Sequence, residues 1–225
     1  MIRFDQVSKR YVDGRQALSE ISFEIAAGEM VFVTGHSGAG KSTLLKLIAL
    51  VERPSRGVLT LDGQNLGRVP RRGIPALRRR LGMVFQDHRL LLDRSVADNV
   101  ALPLVIAGIG RAERARRVRA ALEMVGLLEY EKSPPLRLST GEQQRVGIAR
   151  AIVGRPEVLI ADEPTGNLDP QLALEIMQIF TGFQQVGTTV LVASHDLMLL
   201  KRMRKRTVVL DHGRLVDDVA AEDMA

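Results

Sequence analysis

The sequence predicts an α/β fold with a mainly parallel core sheet, an N-terminal antiparallel β lobe and an inserted helical lobe. Three observations point there. Short apolar runs alternate with helical patterns, as in parallel sheets covered on both faces. A glycine-rich loop joins the first of those runs to a helix. The stretch from Ser95 to Arg155 reads as helix throughout.

Taken in order, Ile2 to Val7, Ile21 to Ile25 and Val58 to Leu61 alternate apolar and polar residues, the pattern of half-buried strands. Asp13-Gly14, Ala27-Gly28 and Asp62-Gly63 read as turns between them. Met30 to Thr34 (MVFVT) is apolar on both faces, and a helical pattern from Lys41 to Val51 follows its loop. Gly82 to Phe85, Val158 to Ala161, Thr188 to Ala193 and Thr207 to Leu210 are expected to be further buried strands. Within the helical stretch, Ala115, Val118, Leu122 and Val125 fall on one face, and Gly126 is a stop signal. Arg111, Arg114, Arg116, Arg117 and Arg119 fall mostly on the other faces, which reads as a solvated helix side rather than a binding patch. The chain is therefore expected to be one domain. Residues 1–90 and 156–225 make the core and β lobe, and 91–155 the helical lobe. The acidic tail after Val216 carries no pattern.

Bulk properties narrow the function. The 225 residues are 45% hydrophobic and 26% charged, ordinary values for a globular domain. With no cysteine there is no disulfide framework and no thiolate metal site. The opening MIRFDQVSKRY has no apolar h-region or cleavage site, so a signal peptide is not expected. The apolar run from Val100 to Ile109 is interrupted by Pro103 and Gly108 and is too short for a spanning helix. The net charge of +6 suits anionic partners of several kinds. Aromatics make up only 4%, which leaves few stacking platforms for nucleic acid, and no direct nucleic-acid contact is expected. The cluster Lys201, Arg202, Arg204, Lys205 and Arg206 suits anionic lipid about as well, as an aid to indirect membrane contact.

Two motifs carry phosphate chemistry. Gly35-His36-Ser37-Gly38-Ala39-Gly40-Lys41-Ser42, followed by Thr43, matches G-x-x-x-x-G-K-[ST] between a strand and a helix, the P-loop of nucleoside triphosphatases. Glycines let successive N–H groups point at phosphate oxygens, and the helix N-terminus adds its positive end. Lys41 is expected to neutralise charge between the β- and γ-phosphates, and the Ser42 hydroxyl to ligate Mg²⁺. Further on, the apolar strand from Val158 ends in Asp162 and Glu163. Asp162 suits the Mg²⁺ shell, and Glu163, just past the strand, suits a general base that polarises water. Taken alone, such a pair would more simply be two solvated acids at a strand end. The phosphate loop, the apolar run and the following Pro164 favour the catalytic reading.

Leu138-Ser139-Thr140-Gly141-Glu142-Gln143-Gln144 opens another helix, with Ser139 and Glu142 spaced as a capping box. In its order after the P-loop and before the acidic strand, the segment resembles the signature motif of ATP-binding cassette (ABC) ATPases. That resemblance covers nearly the whole chain. It implies a homodimer that sandwiches two ATP molecules, Ser139 and the Gly141 backbone of one copy facing the γ-phosphate held by the other, with Glu142 in the same motif. Thr140 departs from the family's usual glycine, and weaker or slower closure on ATP is expected.

The family also implies roles for smaller marks. Tyr11 resembles the aromatic that stacks on adenine, a plain core aromatic being the alternative. Gln86 resembles the residue that touches Mg²⁺ and senses the membrane partner. Asn167-Leu168-Asp169 resembles the segment that crosses the dimer interface. His195 resembles the switch histidine at the γ-phosphate, although a lone histidine is ordinarily structural.

Within the family, TGHSGAGKSTLLKLI, FQDHRLLLDRSVADNVALPLVIAG and ADEPTGNLD are similar to the bacterial cell-division branch. That branch's integral membrane partner is FtsX. The likeness implies a subunit at the cytoplasmic face of the inner membrane that works with the cell-division machinery to regulate septal peptidoglycan hydrolysis. ATPases of lipoprotein-releasing and macrolide-type exporters share ADEPTGNLD and are the alternative. A soluble ABC protein acting on nucleic acid, and a scaffold that rarely hydrolyses, are more distant readings.

Overall fold

The computed structural model describes residues 1–166 and 168–223. Alternation in the first part of the chain yields an antiparallel sheet in the order β2-β1-β4-β5, where β1 is Ile2–Arg10, β2 Gln16–Ile25, β4 Arg56–Leu61 and β5 Gln64–Asn65. Its inner face buries Ile2, Phe4, Leu18, Ile21 and Leu59, and the rings of Phe4 and Phe23 stack at 4.8 Å. The alternation of β1 first breaks at Gln6. Gln6 takes φ 48° at a register shift, and its N–H is satisfied by the Ser22 hydroxyl at 2.9 Å, as at a bulge.

The second sheet has the order β10-β9-β3-β8-β7-β6. β3 (Met30–Thr34), β6 (Leu81–Val84), β7 (Val158–Asp162), β8 (Thr189–Ala193) and β9 (Thr207–Asp211) run parallel, and β10 (Arg214–Val219) pairs antiparallel with β9. β3 and β8 are buried along their whole length, which is why both read as unbroken apolar runs. Successive residues of β3 serve opposite cores. Val31 and Val33 pack with Leu44 and Leu47 of α1 (Lys41–Ile48), whereas Met30 and Phe32 pack with Met177 and Phe180 of α6 (Pro170–Gln185).

After α2 (Ile74–Arg78) and β6, the chain leaves the sheet to form α3 (Val96–Ile106), α4 (Arg111–Met124) and α5 (Thr140–Ile152). All three lie inside the interval 91–155. Val96, Val100 and Leu104 of α3 pack with Val118, Leu122 and Val146. The last turn of α5 lies against β6. A Cβ on Gly82 would sit 2.5 Å from the Ala151 carbonyl oxygen, so only glycine permits this approach. α7 (Leu197–Met203) follows β8.

Several details differ from the sequence reading. The stretch from Ser95 to Arg155 is not helix throughout: between Met124 and Thr140 it holds only two 3₁₀ turns, Leu128–Tyr130 and Pro135–Arg137. The tail after Val216 is partly ordered: Asp217, Asp218 and Val219 complete β10, an exposed edge strand whose charges hide the strand pattern. Ala115 is exposed and Ala121 takes its place on the buried face of α4, since a methyl group contributes little burial. α1 ends at Ile48 rather than Val51, where Leu50 turns to φ 52°. Arg206 leaves the basic cluster, pairing with Glu29 at 2.9 Å and Asp218 at 2.7 Å. The arginine-rich side of α4 is a solvated, ion-paired face: Arg116 and Arg117 reach Glu113 at 2.6 Å, and Arg119 reaches Glu131 at 2.8 Å.

Candidate nucleotide site

β3 delivers the glycine-rich loop and α1 receives it. Gly35, Gly38 and Gly40 all have positive φ, and a Cβ at Gly35 would sit 2.1 Å from the Leu210 carbonyl oxygen. Conformation and space both demand glycine there. Lys41 is buried, and its ammonium donates to the carbonyl oxygens of Gly35 at 2.7 Å and His36 at 3.2 Å. The cation thus lies inside the loop that is expected to cradle phosphates.

The ends of three strands, β6, β7 and β8, converge on that loop. Ser42 donates its hydroxyl to Asp162 Oδ1 at 3.0 Å. Burial pushes the Asp162 carboxyl above the ordinary aspartate value, opposed by the Ser42 hydrogen bond. Glu163 leaves the end of β7 with φ 47°, its N–H held by the Ala193 carbonyl at 3.0 Å. This left-handed residue aims its carboxylate across the loop. Oε1 stands 3.8 Å from Lys41 Nζ and 3.1 Å from His195 Nδ1, and Gln86 donates to Oε2 at 3.4 Å. Lys41, Gln86, Glu163 and His195, distant in sequence, therefore meet at one carboxylate. A cleft of about 240 Å³ beside it is lined by Glu163, Gly166, Ser194 and His195.

Tyr11 lies at the same loop through a hydrogen bond between its hydroxyl and that of Thr43 at 3.2 Å. Its ring carries Lys9 at 5.0 Å and Arg15 at 4.9 Å. The His36 side chain bridges the Ser37 carbonyl, 2.6 Å from Nδ1, and Asp211, 3.0 Å from Nε2. Ser37 and Gly38 are exposed and Ala39 is buried.

The signature segment stands apart. Among the described residues no hydrogen bond or ion pair joins Ser139, Thr140 or Gly141 to the Glu163 cluster. Ser139 caps α5, and Glu142 Oε2 accepts from both the N–H and the hydroxyl of Ser139, at 2.8 and 2.7 Å. These bonds hold the Glu142 carboxyl below the usual range. Thr140 is the exposed first residue of the helix. Gly141 is buried, and a Cβ there would meet Leu172 Cδ2 at 2.4 Å. Asp169 caps α6, accepting from Gln171 and Leu172, and Asn167 lies outside the described residues.

Sequence reasoning missed three linking residues. Gln144, buried on α5, donates to the Pro164 carbonyl at 2.8 Å and contacts His88 Nδ1 through Oε1. It ties the segment after Gln86 to the segment after Glu163. Arg150 donates to the carbonyls of Arg89 at 2.7 Å and His88 at 2.5 Å. Buried Asn99 holds the Leu91 N–H at 2.7 Å and its carbonyl at 2.9 Å. The signal available was a polar residue on the apolar face of a helix.

The family model for the ABC transporter matches residues 18–166, more than half of the chain. The chain belongs to the ABC transporter family and is an ATPase of that family. This ABC cassette is 55% identical to the Cell division ATP-binding protein FtsE of Escherichia coli strain K12 over 222 residues, 99% of this chain and 100% of that protein. It is 41% identical to FtsE of Streptococcus pneumoniae serotype 2, covering 97% of this chain and 95% of that one. The ABC fold extends to solved structures. The dimeric cassette MJ0796 aligns with TM-score 0.91 and 33% identity, over 98% of this chain and 99% of that chain. A post-hydrolysis dimer of MJ0796 bound to ADP and Pi aligns with the same TM-score and 32% identity.

Proposed function

We propose that this ABC cassette is the ATP-driven subunit of a bacterial cell-division complex, acting on FtsX at the cytoplasmic face of the inner membrane to regulate septal peptidoglycan hydrolysis. The observation that carries the cell-division role is 55% identity to E. coli FtsE across essentially both full chains. No described helix is long and apolar enough to cross a membrane. A groove of about 680 Å³ beside Gln86, lined by Phe85, Leu102, Ile106 and Ile109 with Arg78 and Arg79, suits an apolar partner segment with acidic flanks.

The chemistry follows from the convergence on Glu163. The loop from Gly35 to Ser42 and Thr43 grips the triphosphate, with Tyr11 against the base. Ser42 and Asp162 offer oxygen ligands of the kind Mg²⁺ takes, with Gln86 beside them, and the bound ion would neutralise charge on the β- and γ-phosphates. Glu163 polarises a water that attacks the γ-phosphorus. The bond to the β–γ bridging oxygen breaks, and ADP and phosphate result. Lys41 and His195 stabilise charge on the γ-phosphate. Ser139 and the Gly141 N–H of a second copy face the same phosphate, so ATP joins two protomers. The dimeric MJ0796 cassette supports this arrangement.

Purified chain with Glu163→Gln is expected to dimerise with Mg-ATP and to co-purify with FtsX. A strictly monomeric ATP-loaded variant alongside FtsX, or capture by an exporter permease instead, would overturn the reading.

A further inference from the structure

We propose that His36, Asp211 and His212 form a binding site for a zinc-class divalent metal ion, where the phosphate loop meets the turn between β9 and β10. The three side chains are exposed and offer donor atoms that all lie within 4.8 Å of one another. None of them joins the Glu163 cluster.

The hydrogen-bond pattern leaves the donors pointing at each other. His36 Nδ1 lies 2.6 Å from the Ser37 carbonyl oxygen. A carbonyl only accepts, so Nδ1 carries a hydrogen, and in the neutral ring Nε2 is the nitrogen left to ligate. Nε2 lies 3.0 Å from Asp211 Oδ1, and His212 Nδ1 approaches the same oxygen at 2.9 Å. The two imidazoles stand 4.7 Å apart between centroids, tilted by 52°. A proton resolves one such pair. A metal ion takes all three donors at once.

The donor set selects the metal. Two imidazole nitrogens and one carboxylate oxygen suit zinc, whereas Mg²⁺ prefers oxygen alone. Ligands about 2.0–2.2 Å from a tetrahedral zinc stand roughly 3.4 Å apart, so each histidine nitrogen needs to draw back from Asp211 Oδ1 by only a few tenths of an ångström, while the two histidine nitrogens, within 4.8 Å of one another, need to close by no more than about 1.4 Å. Exposure leaves the fourth position to water. A ligating histidine characteristically donates its other ring N–H to a backbone carbonyl, as His36 does to Ser37. The backbone beneath is already clamped: Gly213 donates to the Ala39 carbonyl at 3.0 Å, and Ser19 to the Gly213 carbonyl at 2.7 Å. Bound metal would pin His36, and with it the outer rim of the phosphate loop, to β9.

The test titrates the nucleotide-free full-length chain with Zn²⁺ by calorimetry and with Co²⁺ by visible absorption. His212→Asn keeps a residue tolerant of the left-handed backbone at φ 45°. One metal per chain is expected, together with a cobalt d–d band. In Asp211→Asn and His212→Asn the affinity is expected to fall at least about tenfold, while the metal-free unfolding midpoint stays unchanged. Zn²⁺ should raise that midpoint in the wild type only. His195→Ala, which removes the histidine paired with Glu163, should bind as the wild type does. No binding by the wild type, undiminished binding in both variants, or loss confined to His195→Ala would overturn the proposal.

Discussion

His195 Nδ1 lies 3.1 Å from Glu163 Oε1, and Lys41 Nζ faces the same oxygen at 3.8 Å. One carboxylate therefore holds an exposed ring and a buried cation in the same small volume, and its removal should separate binding from turnover. Glu163→Gln keeps the shape and the hydrogen-bonding oxygen but not the base. Phosphate release is expected to fall about 10²–10⁴-fold with ATP binding retained. Single-turnover kinetics and size exclusion with ATP check it.

His195→Ala removes the ring proposed to act where charge develops on the γ-phosphate. A fall of about 10²-fold in kcat with little change in KM is expected. A rise in KM alone would make the histidine a binding group.

Gly141 is tight against α6. Gly141→Ala should cost no more than about 1 kcal/mol in urea unfolding, because the new methyl meets only the free end of the Leu172 side chain, Cδ2 at 2.4 Å, which can turn aside. Adding Leu172→Ala opens the space, so the double variant should show favourable coupling between the two sites in a double-mutant cycle.

Gln144→Leu leaves the Pro164 carbonyl and His88 without their partner. A loss of about 1–3 kcal/mol is expected. Hydrogen exchange should also rise in the segments after Gln86 and after Glu163, which this one side chain joins.

Asp162 titrates against its burial. Its folded carboxyl sits above the ordinary value of 3.8, so stability from this group is complete below that value and is lost as pH rises through the folded one. Metal-free Asp162→Asn should therefore unfold at a higher temperature than the wild type at neutral pH and at the same temperature in acid. Thermal scans across pH check it, and Mg-ATP binding should be lost in the variant.

Much of this was legible in the sequence, and for physical reasons. MVFVT and TVLVA are buried on both faces, so no charged residue interrupts them. The phosphate loop is legible because its glycines have no substitute at Gly35, where backbone passes backbone. β10 escaped because an edge strand needs charge rather than apolar alternation, and Asp217 and Asp218 supply it. Gln144 and Asn99 escaped because their meaning lies in carbonyls distant in sequence or sealed inside a loop. The turn of His36 toward Asp211 was invisible because a motif constrains the backbone of that residue and leaves its imidazole free.

The close seat of α5 on β6, where Gly82 touches the Ala151 carbonyl, gives the helical lobe a fulcrum. The signature lies at the far end of the same helix. A helix of 13 residues spans about 20 Å, so each degree of tilt about that seat carries Ser139 roughly 0.3 Å. Small displacements near the sheet are thereby magnified at the tip, and a larger residue at position 82 would dislodge the pivot rather than the chemistry.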